Sequence, residues 1–238
     1  ALATGQLYHY RAAISNCTGV AYGADRTFYV GDTIPPGVLK DEWLPTYDSN
    51  QPATTEWANA TNWSLGMKPY NTINNQFQVA LEGTPLAPKS ALLSDYTVID
   101  RLRLLQSEFA VSDSYLIVAQ GVIENSGLLR IGVPYPASLI STGEFRLQNP
   151  VPLPGKGRLT LAPSSTLLVS GLGLLINDLD HTIQGTGLIQ CNELTNHGWI
   201  IADENAFSEL GLNVARIRND GTIMAQNSGF LRFGAAPS

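Results

Sequence analysis

The phrase Asn-x-Gly-x-apolar-x-apolar occurs four times in this chain. Its copies begin at Asn125, Asn196, Asn219 and Asn227, with the glycines at Gly127, Gly198, Gly221 and Gly229. Glycine tolerates the left-handed backbone of a sharp corner at no steric cost, and asparagine tolerates it next best. The alternation that follows sends one side chain inward and the next to solvent, as a half-buried strand requires. A corner feeding a short strand, repeated, predicts an all-β chain wound as a right-handed parallel β-solenoid, or β-helix. Asparagines at equivalent corners of successive coils can then stack into a hydrogen-bonded ladder.

Looser copies of the half-phrase start at Gly143, Gly157 and Gly187. Glycines 127, 143, 157, 173 and 187 lie 14 to 16 residues apart, and later intervals are uneven. At roughly 20 residues per coil, Val98 to Phe233 supplies about six or seven coils. A β-sandwich also alternates strands with glycine turns, but four copies sharing Asn, Gly and two apolar positions favour the solenoid. No long segment carries a helical stripe uninterrupted by Pro or Gly, so almost no α-helix is expected.

Residues 1–70 have a different texture. They hold Trp43, Trp57 and Trp63, three of the four tryptophans, and the firm break Pro35-Pro36-Gly37. This portion reads as an irregular, aromatic-rich N-terminal β cap or assembly segment, with residues 71–238 forming the coils.

Composition removes several functions. Charged residues are only 14 % of the chain and the net charge is −6, with no basic run to line a nucleic-acid groove. No apolar run reaches the ~18 residues of a membrane span. The start Ala1-Leu2-Ala3 fits a processed chain, its export signal removed, and fits a cloned fragment equally. Cys17 and Cys191 match no zinc spacing; they form either a disulfide or two buried thiols. His9, His181 and His197 show no metal spacing, and no cofactor motif is present. Asn16, Asn59 and Asn62 head glycosylation sequons.

The coil phrases resemble those of bacterial exported β-solenoids: filamentous haemagglutinin-type adhesins, autotransporter passengers and surface proteins with a sorting signal. Trp57, Asn62, Trp63, Ser64, Gly66 and Pro69 resemble the lead-in that precedes such coils. The resemblance covers roughly residues 57–233 and implies an exported, extracellular or cell-surface protein acting as adhesin, scaffold or sheath.

The leading functional expectation is a non-enzymatic structural protein, a homopolymer forming a surface filament by end-to-end stacking or strand addition. The corner residues Asn125, Gly127, Asn196, Gly198, Asn219, Gly221, Asn227 and Gly229 would set the coil. Phe230, Leu231 and Phe233 would offer an adhesive last strand. A second expectation is an adhesin or carbohydrate-binding module using Trp199 or the N-terminal tyrosines, with surface carbohydrate as partner. A third is a polysaccharide-active enzyme centred on Asp178 and Asp180, two residues apart on one face, although a solvated loop is the simpler reading of that pair.

Overall fold

The computed structural model describes residues 7–16, 19–23, 26–29, 37–45, 56–132, 143–148, 151–170, 173–203 and 209–234. Contacts divide the chain into two units, Ala1–Pro36 and Gly37–Ser238. In the first, β1 (Leu7–Tyr10) pairs antiparallel with β4 (Arg26–Tyr29), and β2 (Ala13–Asn16) with β3 (Gly19–Tyr22). There the Arg11 guanidinium lies 4.0 Å above the Tyr22 ring.

The second unit is one sheet of fourteen strands. Its first half comprises β5 (Val38–Glu42), β6 (Gln76–Glu82), β7 (Lys89–Leu93), β8 (Thr97–Val111), β9 (Ser114–Ile131), β10 (Gly143–Leu147) and β11 (Val151–Leu153). Its second half comprises β12 (Arg158–Val169), β13 (Leu174–Asn177), β14 (Thr182–Asn196), β15 (Trp199–Asp203), β16 (Glu209–Asn219), β17 (Thr222–Gln226) and β18 (Phe230–Gly234). The only helical element among the described residues is one 3-10 turn, Ala60–Asn62.

Strand pairing within this sheet is parallel, and the register places apolar side chains in rows across it. One row runs Ala91, Phe109, Leu129, Leu159, Ile183, Ile200, Ile223. A second runs Leu116, Phe145, Leu167, Ile189, Leu212, Phe233. Neighbouring strands lie about 4.8 Å apart, so each row is a continuous column of van der Waals contact. Parallel sheets need both faces shielded or the interior filled. Here branched aliphatic side chains fill it, and Phe109, Leu129, Phe145 and Leu167 are almost entirely buried.

The all-β expectation stands; the right-handed β-solenoid does not. β10 pairs with β9 and with β12, and β12 pairs directly with β9. The path of hydrogen-bonded strands thus returns to its start, and the sheet is a closed parallel β-barrel with flanking strands. The recurring phrase misled because its copies do not occupy equivalent places. Asn219 lies in register with Asn196, as one coil above another would. The copy at Asn227, however, leads to Phe230 opposite Glu209 in β16, away from β17. The copy at Asn125 lies inside the long strand β9, with Leu128 opposite both Glu108 and Arg158. The shared phrase therefore opens a strand at three of its four copies, before β15, β17 and β18, and does not specify one uniform coil.

Filament formation by stacked coils, with the chain itself as partner, falls with the solenoid on which it depended. Phe233 ends the second apolar row and is 61 % exposed, Phe230 is 57 % exposed, and Leu231 packs partly against the core.

The tryptophan-rich lead-in is a structural staple inside the second unit. Trp43, Trp57 and Trp63 are buried, with Trp63 edge-on to Trp43 at 4.8 Å and to Trp57 at 4.5 Å. Trp57 stacks on Phe109 at 4.9 Å, and Trp63 Nε1–H donates to the Trp57 carbonyl at 2.8 Å. Asn62 donates to the Glu56 carbonyl, and Ser64 Oγ donates to Asp41 at 3.0 Å. Gly66 takes φ +65°, with open space around it. The spacing of this phrase thus reflects aromatic packing and turn closure.

Candidate functional site

Two polar features stand out, one internal and one on the lateral surface. The internal feature is a chain of buried amides. Asn125, Asn177, His181 and Asn196 are all at most 1 % exposed. Asn125 Nδ2 donates to His181 Nε2 at 3.0 Å, and His181 Nδ1 donates to Asn177 Oδ1 at 2.8 Å. Asn177 Nδ2 donates to Asn196 Oδ1 at 2.7 Å, and Asn196 Nδ2 to Asn219 Oδ1 at 2.7 Å. Asn219 Nδ2 closes the line on the Gly221 carbonyl at 3.2 Å. Every donor points the same way, so each bond polarises the next.

This direction assigns the imidazole tautomer. Only a neutral ring protonated at Nδ1 accepts from Asn125 and donates to Asn177 at once. Burial pushes the His181 pKa down to about 3, in keeping with a ring that has no room for a second proton.

The glycines of the corners make this close approach possible. A Cβ on Gly198 would lie 2.2 Å from the Asp178 carbonyl oxygen and 2.3 Å from that of His181. One on Gly221 would lie 2.2 Å from the Gly198 oxygen, and one on Gly127 would lie 2.2 Å from the Ser107 oxygen. The structure thus brings Asn125, Asn196, Asn219, Gly198 and Gly221 to one line. Gly127 sits beside it through the bond from its N–H to Asn125 Oδ1. Asn227 and Gly229 belong to a separate corner, where Asn227 takes φ 51° and donates to Asp203 at 2.7 Å. Asn177 and His181 were missed as members of the line. The signal available was Asn177 standing 19 residues before Asn196, itself 23 before Asn219.

The lateral feature is a ridge of tyrosines. Tyr70 meets Tyr96 edge-on at 5.7 Å, and Tyr96 meets Tyr115 at 4.3 Å with the rings tilted by 42°. Each ring is a little over one-third exposed. The Arg146 guanidinium lies 5.5 Å above Tyr115, held by the Glu144 carboxylate beside it. Burial, then the hydrogen bond with the Tyr70 hydroxyl, pushes the Tyr96 phenol up. The ridge arises from register. Tyr96 immediately precedes β8, whose Thr97 lies opposite Leu116, so Tyr96 and Tyr115 are side by side. The Asn71 N–H donates to the Val98 carbonyl and brings Tyr70 alongside.

At Tyr115 the ridge runs into an open groove of about 430 Å³. Asp113, Ser114, Glu144, Ser164 and Thr166 supply its polar wall. Glu144 lies directly between Tyr115 and Thr166 on adjacent strands. Gly143 lets the strands close here, since a Cβ would sit 2.5 Å from the Gly132 nitrogen. Asp113 and Ser164 both adopt left-handed backbone, at φ 49° and 62°. Non-glycine residues in that region mark places where the surrounding fold holds a strained corner.

The other sequence candidates lie elsewhere. Asp178 Oδ1 accepts from the Leu179 N–H at 2.8 Å, and Asp180 faces Lys156 at 3.7 Å. Trp199 is 47 % exposed, on a strand between Thr182 and Thr222. His197 faces Asp220 at 3.6 Å. Cys191 is a buried thiol whose pKa burial pushes up to about 12; Cys17, its suggested partner, lies outside the described residues. Side-chain statements for His9 and Asn16 also lie outside them. Asn59 accepts from Thr61 and caps the 3-10 turn. Among the described residues, no three His, Cys, Asp or Glu side chains gather as metal ligands, and no helix is long and apolar enough to cross a membrane.

The fold and these two features define an all-β protein whose main sheet is parallel, with a buried amide line and a lateral aromatic ridge among the described residues. Compared with family models, curated proteins and solved structures, the chain matches none. The resemblance to exported bacterial β-solenoids is therefore withdrawn: no relative supports it, and the closed sheet contradicts its fold.

Proposed function

We propose that this protein is a non-catalytic binding module that holds an extended ligand along the Tyr70–Tyr96–Tyr115 ridge. The observation that carries this reading is the ridge itself. Three aromatic rings, drawn from three separate stretches of chain, lie in contact on one lateral face and lead into a polar groove. Aromatic side chains offer large contact area with few rotatable bonds, so ordering them on binding costs little entropy. Leu116 and Phe145, beside Tyr115 and Glu144, belong to a buried apolar column, so the strands carrying the face are packed before a ligand arrives. The uses found for Asp178 and Asp180, a turn and an ion pair, favour binding over hydrolysis at that pair. The low charge and polar, uncharged composition support an extracellular or cell-surface setting.

The test is binding of the purified chain to a panel of soluble polysaccharides and proline-rich peptides, compared with Tyr96→Ala. Tyr96 is 37 % exposed, so its removal leaves the core intact. The expected result is at least one polymer that binds the parent and is weakened about tenfold or more by the substitution. Equal binding by Tyr96→Ala would refute the ridge as the docking face.

A further inference from the structure

We infer that the ligand of this face is a neutral polysaccharide, with the groove beside Tyr115 as the subsite that reads its hydroxyl groups. The inference rests on the binding-module reading and adds the ligand's chemistry. First, the tyrosine rings do not form a flat shelf. The ring planes of Tyr70 and Tyr96 are inclined by 77°, and those of Tyr96 and Tyr115 by 42°. Inclined rings offer both edges and faces to the C–H-rich sides of sugar rings.

Second, the groove has a mixed wall in which polar side chains sit beside Tyr115 and Gly143. Asp113 and Glu144 contribute carboxylates, and Ser164 and Thr166 contribute hydroxyls. A carboxylate accepts from two neighbouring sugar hydroxyls, and a serine or threonine hydroxyl donates or accepts as required. Ser114 Oγ is buried and has no hydrogen-bond partner within the protein. Third, the two left-handed corners, Asp113 and Ser164, both lie on this wall. The fold thus holds two lining residues in conformations that most side chains avoid.

Charge decides against acidic sugars. Arg146 and Glu144 neutralise one another beside the groove, so the Asp113 carboxylate leaves it with a negative balance. The chain as a whole carries −6. A uronate or sulfate would meet repulsion in the groove and across the surface. A neutral glycan meets none, and its binding would vary little with salt.

The experiment is isothermal titration of the full chain with three neutral polymers (mixed-linkage β-glucan, arabinoxylan and xyloglucan) and two anionic ones (polygalacturonate and chondroitin sulfate). Each is measured at low and high salt. The variants are Tyr96→Ala, Glu144→Gln, Asp113→Asn and Thr166→Val. The expected result is salt-insensitive binding of a neutral polymer, with a loss of about tenfold in Tyr96→Ala and about three- to tenfold in each groove variant. Preference for an anionic polymer overturns the inference. Groove variants that bind as tightly as the parent, while Tyr96→Ala does not, overturn the groove subsite and leave the ridge standing. A proline-rich peptide as the only ligand overturns the sugar assignment but keeps the ridge. No binding by any of these polymers overturns the inference, and a ligand indifferent to Tyr96→Ala overturns both readings.

Discussion

Truncating the middle of the amide line, Asn196→Ala, should be among the most damaging single-residue changes outside the apolar core. Asn196 is fully buried. Its oxygen accepts from Asn177 at 2.7 Å, and its amide nitrogen serves Asn219 Oδ1 at 2.7 Å and the Thr222 carbonyl at 3.1 Å. Alanine removes all of these at once. Two good hydrogen bonds are worth about 1 kcal/mol each, and a buried group left unpaired costs about 1–3 kcal/mol more. Asn177 Nδ2 keeps fallback acceptors, the Trp199 carbonyl at 3.1 Å and that of His181 at 3.4 Å, so the penalty lies toward the lower end. The expected loss is about 3 kcal/mol, which lowers Tm by roughly 6–12 °C in a chain of this size. Urea unfolding reads it directly, because Trp43, Trp57 and Trp63 are buried fluorophores that become exposed on unfolding. Asn219→Ala is the internal control. That residue lies on the exposed end of the line, so its loss should be below about 1 kcal/mol. If Asn196→Ala unfolds within about 0.5 kcal/mol of the parent, or no more easily than Asn219→Ala, the line is not a cooperative stabilising element and the reasoning fails.

Two further outcomes follow from the same interior. The His181 pKa is lowered to about 3 in the folded chain, whereas a free imidazole titrates near 6.5. Between those values the unfolded chain binds a proton that the folded chain does not, so stability falls as pH drops from about 6.5 toward 3, by at most about 1.4 kcal/mol per pH unit. Burial raises the Asp41 and Asp100 carboxyls, whose contribution runs the opposite way and favours the fold as pH falls. The diagnostic is therefore the difference between parent and His181→Gln in urea midpoints from pH 7 to 4, which should shrink steadily; parallel curves would contradict the assignment. Gly198→Ala should cost about 2–3 kcal/mol by overpacking, since its Cβ would press on two carbonyl oxygens at 2.2–2.3 Å. Gly66→Ala, with open space but φ +65°, should cost about 1 kcal/mol from backbone strain alone; equal effects on thermal unfolding would show that close approach at Gly198 is not the constraint.

Local chemistry was legible in the chain, and global closure was not. The Asn-x-Gly phrase announces strand starts at Asn196, Asn219 and Asn227; its four glycines have no positive φ and are constrained by close backbone approach, not by a left-handed corner. Alternation after each corner announces which side chains face inward, so the all-β class and much of the core could be read directly. Three tryptophans within 21 residues, Trp43 to Trp63, announce a packed aromatic cluster. The same phrase could not say which strand each copy lies beside. Parallel neighbours are separated by long connections, and their pairing depends on contacts between residues distant in the chain. The solenoid and its filament failed for that reason: Asn227 carries the same phrase as Asn219 yet leads to a strand on β16.

The candidate site shows the same division. His181 joins the amide line only because β9, β13 and the corner before β14 come together around its ring. Tyr70, Tyr96 and Tyr115 are separated by 26 and 19 residues, intervals that match no helical or strand period. Only inter-strand register places them side by side, just as it places Thr166 next to Glu144 in the groove. Residue type and short-range pattern determine what each segment can be, because they act through the backbone's own sterics and burial. Which surfaces meet is settled by the closing of the sheet, a collective choice among pairings that no local stretch of sequence encodes.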